Sequence, residues 1–138
     1  MHEWKIYHHG PESGSPPKSA VLMMHGVGSN GQDLIGLAPH LAGVLPDTVF
    51  LSPDAPQPYD MVPPGFGMAE SYQWFSLQSR APGFLMEQAT STLPGVQELI
   101  DQIGTRFNLP DSKIALLGFS QGTMMALFTA LRRTQPIA

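Results

Sequence analysis

Hydrophobic residues follow two kinds of spacing along this chain. Three short runs are almost wholly apolar, Ala20–Met24, Thr48–Leu51 and Ile114–Leu117, and each predicts a strand buried on both faces of a sheet. Three further segments carry apolar residues at helical spacing. Their members are Leu34, Leu37, Ala38, Leu41 and Leu45, then Val96, Leu99, Ile100, Ile103 and Phe107, then Met124, Leu127, Phe128 and Leu131. Strands that alternate with helices predict an α/β fold with a mostly parallel sheet.

Prolines and charged residues set the expected limits of these helices. Pro39 lies inside the first helical segment, so that helix is expected to start late or to kink there, with Asp33 as a candidate cap. Pro94 is expected either in the first turn of the second helix or as a kink in a longer helix that begins near Phe84. The last helix is expected to end near Arg132–Arg133, where cations suit the helix dipole.

Two segments follow neither of these patterns. Trp4 and Ile6 alternate with polar neighbours, which predicts a short edge strand. Residues 53–67 include seven prolines or glycines, so no regular element is predicted there, and a long irregular stretch in a compact domain is usually functional or mobile. Large apolar residues are concentrated in Tyr72–Leu77, directly after that stretch.

Composition narrows the classes of protein that the chain can belong to. Its 138 residues fit one domain, taken here as 1–138, and 42% hydrophobic with 13% charged residues excludes a wholly disordered chain. A net charge of −4 without a Lys/Arg cluster argues against a nucleic-acid partner. The absence of cysteine excludes a disulfide scaffold and a thiolate site. No apolar run is long enough for a membrane span and the N-terminus has no signal core, so a cytoplasmic protein is expected.

The adjacent His8 and His9 would point to opposite faces of a strand, and no metal site is predicted.

A Gly-x-Ser-x-Gly motif, Gly118 to Gly122, lies between a predicted buried strand and a predicted helix. A serine on such a sharp turn has its hydroxyl exposed at the carboxyl end of the sheet, and small residues on both sides allow neighbouring backbone to approach closely. The helix that follows points its N-terminus at the site, so the Gln121 amide is expected to face a developing oxyanion. Ser120 is therefore the predicted nucleophile. The alternative is a glycine-rich turn with a solvated serine.

The polar loop His25–Gly31 follows the first buried strand. An oxyanion hole takes its second donor from an early strand-to-helix loop, and the Val27 amide is the candidate. His25 precedes Ser120 and belongs to this loop, so we expect a backbone-bonded histidine and not a general base. The loop also matches Gly-x-Gly-x-x-Gly, and a flavodoxin-like binder of phosphate or nucleotide is an alternative, although no phosphate-loop lysine is present.

The sequence resembles the α/β-hydrolase phospholipase/carboxylesterase family, which includes the acyl-protein thioesterases. Four segments carry the resemblance, in the right order and over nearly the whole chain: residues 22–31, 52–56, 74–75 and 116–123. Gly-Phe-Ser-Gln-Gly is more specific than Gly-x-Ser-x-Gly alone, and the Gln73–Leu77 stretch is most similar to bacterial members. The resemblance implies Ser120 as nucleophile, with the Val27 and Gln121 amides as oxyanion donors.

The resemblance also implies an activity and a place for the acyl group. It implies hydrolysis of carboxylic esters or thioesters with short to medium acyl chains, a small-molecule substrate and no cofactor. Trp74 and Phe75 are placed near the acyl pocket, with ordinary aromatic core packing as the alternative. Met61, Met68 and Leu85 are expected either to line an acyl groove or lid or to be buried filler.

A serine hydrolase also needs a base and an orienting carboxylate, which in α/β-hydrolases follow the serine in the order Asp or Glu, then His. Residues 121–138 contain no Asp, Glu or His. Three explanations compete. A separate C-terminal piece supplies both groups; the chain is a truncated, inactive remnant that acts as a folding or interaction module; or an earlier histidine such as His9, His25 or His40 substitutes.

The same observation bears on the sheet. In the resemblance the chain corresponds to the N-terminal portion of an α/β-hydrolase fold, without its C-terminal strands. The strand Ile114–Leu117 is then expected to have one open edge, and a long apolar open edge invites pairing. A C-terminal fragment chain or a homodimer is the expected cover for it.

Overall fold

The computed structural model describes residues 2–62 and 70–138. Within these ranges the strands are β1 (Ile6–His9), β2 (Ser19–Met24), β3 (Thr48–Pro53), β4 (Gln57–Pro58), β5 (Tyr72–Gln73) and β6 (Ile114–Gly118). The α-helices are α1 (Gly31–Leu34), α2 (Ala38–Ala42), α3 (Pro82–Phe107) and α4 (Gln121–Ala130), with short 3₁₀ turns at Ile35–Leu37 and Asp111–Lys113. All three apolar runs are strands, as their lack of polar interruption predicts.

The main sheet has the strand order β1-β3-β2-β6. β3 and β6 both run parallel to β2, whereas β1 is antiparallel to β3 and lies at the edge. The predicted mostly parallel sheet is confirmed. An edge strand is also present, but it begins at Ile6 and does not include Trp4. Among the described residues β2 is the only strand that pairs with β6. The Ala138 N–H donates to the Ile114 carbonyl at 3.0 Å, and beyond that bond the expected open edge is present.

Two apolar clusters cover the two faces of this sheet. The larger one joins residues of β2, β3 and β6 to α3 and α4, and the smaller one joins the opposite faces of β2 and β3 to α1 and α2. Strand β2 contributes to both, and its Leu22, Met23 and Met24 are completely buried. Burial on both sides explains why this strand is continuously apolar.

The first helical segment is interrupted as Pro39 predicts. A 3₁₀ turn precedes α2, and Pro39 lies in the first turn of α2, where its missing N–H is not needed. The expected cap is wrong: α1 begins at Gly31, and the Asn30 side chain accepts the Asp33 N–H at 2.8 Å. Asp33 accepts the Ser29 hydroxyl instead, at 3.0 Å.

The second helical segment belongs to one long helix. α3 spans 26 residues from Pro82 to Phe107 with Pro94 inside it, which confirms the alternative of a longer helix. It ends at Asn108, whose φ of 54° is the left-handed conformation that commonly closes a helix.

The proline- and glycine-rich stretch is less irregular than expected. β4 and β5 form a two-residue antiparallel pair, and the side-chain amides of Gln57 and Gln73 bond across it at 2.9 Å. The prediction of no regular element is therefore wrong at 57–58. Residues 63–69, which include Met68, lie outside the described ranges.

Candidate active site

Ser120 stands on a sharp turn between β6 and α4. Its φ of 52° and ψ of −116° are unusual for a residue with a side chain, and such a conformation costs of order 1–3 kcal/mol, so it persists only where the surroundings impose it. The residue is exposed. A strained, exposed serine between strand and helix is the geometry that the motif predicts.

The glycines on both sides of Ser120 are required by close backbone. A Cβ on Gly122 would overlap the Met24 carbonyl oxygen, and one on Gly118 would stand 2.5 Å from the Thr123 nitrogen. Both distances are too short for any side chain. The turn is therefore packed directly against the end of β2, where the Phe119 N–H also donates to the Met24 carbonyl at 3.0 Å.

This packing brings the loop after β2 beside the serine. A Cβ on Gly26 would lie 3.6 Å from the Ser120 Cβ and 3.2 Å from the Phe119 ring. Bonds to Tyr72 hold the loop, since the Gly28 N–H donates to the Tyr72 carbonyl at 2.8 Å and the Tyr72 N–H donates to the Ser29 carbonyl at 2.9 Å. The fold therefore joins two segments that lie more than 90 residues apart in the sequence.

A cleft of about 190 Å³ lies between this loop and Ser120. Its lining consists of His25, Gly26, Val27, Ser29, Asp33, Leu34, Phe119 and Ser120. Within the described parts of the chain, neither the Val27 N–H nor the Gln121 N–H donates a hydrogen bond, and the Ser120 hydroxyl has no partner. Val27 thus shares the cleft with an available hydroxyl, and the second available amide is that of Gln121, the next residue after the serine.

His25 is fully committed to the backbone around it. Its Nδ1 lies 2.7 Å from the Gly26 carbonyl oxygen, and its Nε2 accepts the Ala55 N–H at 2.9 Å. The side chain is 1% exposed, and this burial lowers its pKa below the ordinary 6.5. A neutral ring with its lone pair already in use cannot take the Ser120 proton, and the prediction of a backbone-bonded histidine is confirmed.

Trp74 lies in the core. It has no exposed surface, its indole N–H donates to the His25 carbonyl at 2.8 Å, and its backbone N–H donates to the Gln121 Oε1 at 2.8 Å. The Gln121 Nε2 in turn donates to the Phe75 carbonyl at 2.7 Å. This position favours core packing for Trp74 over contact with a substrate. The sequence does not predict this network of hydrogen bonds. The one local sign of the network is the long amide side chain of Gln121, directly after the serine.

Phe75 borders an apolar groove of about 420 Å³ next to the first turns of α4. The groove is lined by Phe75, Leu77, Arg80, Pro82, Leu85, Met86, Ala89, Met124 and Phe128. Leu85 therefore lies where an acyl-groove residue was expected, whereas Met61 is exposed and outside the groove.

No candidate general base lies beside Ser120 among the residues described. The only imidazole in the lining of the cleft is that of His25, and His9 and His40 lie outside that lining. Over residues 2–62 and 70–138, no three histidines, aspartates or glutamates are grouped in a way that would hold a metal ion. The helices of the same ranges are too short or too polar to cross a membrane.

The chain is similar in sequence to known proteins. The chain is 29% identical over 126 residues to acyl-protein thioesterase 1 of Candida albicans, covering 86% of this chain and 53% of the relative. It is 26% identical over 128 residues to an uncharacterized hydrolase of Mycosarcoma maydis, covering 92% and 47% respectively. The chain thus spans about half the length of the curated relatives that it matches.

Solved structures of esterases have the same fold and are also longer than this chain. The crystal structure of esterase PE8 superimposes with a TM-score of 0.86 at 32% identity, over 98% of this chain and 60% of that one. A carboxylesterase from Mesorhizobium loti at 16% identity and a TM-score of 0.68 shares the fold. The fold is that of the α/β-hydrolases, of which this chain covers somewhat more than half. The family model for phospholipases and carboxylesterases matches residues 11–138, and the chain therefore belongs to the phospholipase/carboxylesterase family.

Proposed function

We propose that this chain carries the nucleophile and the oxyanion hole of a serine hydrolase that cleaves carboxylic esters or thioesters. Ser120 Oγ attacks the carbonyl carbon, and its proton passes to a base. The oxyanion that forms accepts hydrogen bonds from the Val27 and Gln121 amides. Collapse expels the alcohol or thiol, which takes up the proton, and water then releases the acid from the acyl-serine.

One observation carries this proposal. The strained turn exposes the Ser120 hydroxyl in a cleft that Val27 also lines, and neither the Val27 amide nor the amide of Gln121, the residue after the serine, has a partner among the described residues. Val27 is half-buried and Gln121 is buried, and backbone amides removed from solvent usually have a hydrogen-bond partner. Donors that stay available beside a nucleophile are suited to a charge that appears only during the reaction.

The apolar groove beside α4 suits the acyl chain of the substrate. Met124 lies one helical turn after Ser120, because its N–H bonds to the Ser120 carbonyl at 3.2 Å, and it lines the groove together with Phe75 and Leu85. Each methylene buried there contributes about 0.8 kcal/mol. An octyl reagent is therefore expected to react faster than an ethyl one, and Leu85→Asn to reduce that preference.

We also propose that a C-terminal polypeptide covers the open edge of β6 and supplies the missing Asp and His. Residues Ala115 to Gly118 are only partly buried, and four large apolar residues nearby are more than half exposed: Phe119, Met124, Leu127 and Leu131. An apolar face beside an unpaired edge favours a partner that adds strands. A second copy of this chain is the alternative cover for the edge.

Two measurements on the purified protein test the proposal. Intact mass spectrometry under denaturing conditions reveals whether a second polypeptide accompanies the 14.9 kDa chain. Labelling with an alkyl fluorophosphonate, with and without imidazole as an external base, tests the serine. In that step an Oγ–P bond forms, the P–F bond breaks, fluoride leaves and the proton goes to imidazole.

The expected result is modification of Ser120 that imidazole accelerates by about 10-fold or more, since a positioned base contributes roughly 10²- to 10⁴-fold. Ser120→Ala abolishes the labelling, whereas Ser91→Ala on exposed α3 surface leaves it unchanged. A second polypeptide with Asp and His makes labelling fast without imidazole and gives turnover of p-nitrophenyl esters. If Ser120 stays unlabelled in the presence of imidazole, the proposal is contradicted. The alternative, an inactive folding or interaction module, is then favoured.

A further inference from the structure

A chain of hydrogen bonds runs through side chains from one candidate oxyanion donor to the other. We infer that His25, Trp74 and Gln121 are positioning residues that together fix the direction of the Val27 and Gln121 amides. These three side chains are called the oxyanion frame below. The inference rests on the proposed function, because it takes those two amides as the donors to the oxyanion.

The frame begins at Gln121. Its side chain is 2% exposed, and both ends of its amide are bonded to the backbone of one segment, Oε1 to the Trp74 N–H at 2.8 Å and Nε2 to the Phe75 carbonyl at 2.7 Å. A side chain bound at both polar ends cannot change rotamer without leaving buried groups unpaired. The backbone amide of the same residue is therefore anchored to residues 74–75.

Trp74 carries the connection to the loop after β2. Its buried indole N–H donates to the His25 carbonyl at 2.8 Å, and its own carbonyl accepts the Thr92 hydroxyl at 2.7 Å, which ties it to α3. The indole also packs against the His25 ring, with 5.5 Å between the ring centroids. One residue therefore links the serine turn, a long helix and the loop.

His25 completes the frame at the second donor. With Nε2 held by the Ala55 N–H at 2.9 Å, its Nδ1 faces the Gly26 carbonyl oxygen at 2.7 Å. The Gly26 carbonyl and the Val27 N–H belong to one planar trans peptide and point in opposite directions. Holding the oxygen of that peptide therefore sets the direction of its N–H.

Every member of the oxyanion frame belongs to this chain. The hole is then assembled before any base arrives from a C-terminal polypeptide, and it is pre-organised as such donors must be. Removal of one oxyanion donor costs other hydrolases about 10²- to 10³-fold in rate. A frame residue acts through a donor, so its loss is expected to cost less, about 10-fold.

Two substitutions test the frame, each with a matched control. Trp74→Phe removes the indole N–H but keeps an aromatic ring, and Trp4→Phe is its control, because Trp4 packs 6.1 Å from Trp74 between ring centroids without bonding to the loop. Gln121→Glu replaces the donor to the Phe75 carbonyl. Gln88→Glu is the control, because the side-chain oxygen of Gln88 accepts a longer bond, from the Ser76 N–H at 3.4 Å.

The measured quantity is the rate of Ser120 labelling in a fixed concentration of imidazole, with a P=O fluorophosphonate and with its P=S analogue. Oxyanion donors bond oxygen better than sulfur, so the ratio of the two rates reports the hole itself. General loss of folded protein lowers both rates equally. Trp74→Phe and Gln121→Glu are expected to lower the P=O rate about 10-fold and to lower the ratio, whereas both controls stay within about twofold of the wild type.

A ratio that is unchanged in both frame variants overturns the inference, even where their stability falls. If the wild type reacts with neither reagent, the proposed function fails. Amide NMR spectra then test whether the oxyanion frame positions the two amides. The Val27 and Gln121 amide signals are then expected to shift or broaden in Trp74→Phe and not in Trp4→Phe. Unchanged signals in both frame variants contradict the inference without any reference to catalysis.

Discussion

Replacing Gly122 by alanine tests whether the close approach of the serine turn to β2 holds the site together. The added Cβ would overlap the Met24 carbonyl oxygen and lie 2.6 Å from the His25 carbonyl oxygen. Both atoms are backbone at the end of a strand whose side chains are completely buried, so neither can move aside alone. To bring even the His25 oxygen to 3.0 Å requires a shift of about 0.4 Å in a close-packed interior.

The energetic consequence follows from that displacement. Overpacking in a core costs typically 1–3 kcal/mol, and here β2 and α4 must also separate, so we expect a loss of about 2–4 kcal/mol in the free energy of unfolding. Since small proteins have urea m-values of about 1–3 kcal/mol per molar, the urea midpoint falls by about 1 M or more. Ser120 labelling is lost as well, because the turn no longer presents the hydroxyl to the cleft.

The control is Gly83→Ala in the first turn of α3, where a Cβ meets nothing within 4 Å. That substitution is expected to stabilise the protein by up to about 1 kcal/mol, since alanine is the better helix former. Urea unfolding followed by far-UV circular dichroism measures both variants. A Gly122→Ala protein that unfolds within 0.5 kcal/mol of the wild type refutes the packing argument.

Three further outcomes follow from the contacts. Because burial lowers the pKa of His25 below 6.5, the unfolded chain takes up that proton first as the pH falls below 6.5; the free energy of unfolding then drops by up to about 1.4 kcal/mol per pH unit until the lowered pKa is passed. In pH-dependent urea titrations His25→Gln loses this slope and the exposed His40→Gln keeps it. Asn30→Ala removes the cap of α1 and is expected to cost about 1 kcal/mol in the same assay; an unchanged midpoint contradicts that role. Arg133→Met breaks the 2.8 Å pairs with Asp101 and Asp111 and is expected to cost about 1–2 kcal/mol, less at high salt, so a loss that is insensitive to salt rules out the ion pairs as its cause.

Much of the fold follows from patterns that can be read over a few residues. The three buried strands are apolar without interruption because both faces of the sheet are covered, and Pro39 interrupts the first helix because it lacks an N–H. The start of that helix was placed wrongly. Asn30 and Asp33 are both good capping residues, and only the direction of the chain out of β2 selects Asn30.

At the candidate site, too, some features can be predicted from neighbouring residues and others depend on distant contacts. The Gly-x-Ser-x-Gly motif predicts the sharp turn, because Gly118 is crowded by Thr123 of the same turn, whereas Gly122 is crowded by the distant end of β2. The sequence does not predict the small sheet of β4 and β5, since a strand of two residues has no detectable period. Its pairing joins Gln57 to Gln73, which lie 16 residues apart in the sequence.

The sequence by itself determined the three buried strands and the three main helical segments, where the serine turn lies and that no Asp, Glu or His follows it, because each of these is a property of neighbouring residues. Only the tertiary structure decided what Trp74, Gln121 and His25 do. Their hydrogen bonds join residues 46 to 49 positions apart, and no local pattern encodes such a distance. Trp74, which its motif places near a substrate, is instead buried in the core, where its indole N–H donates to the His25 carbonyl.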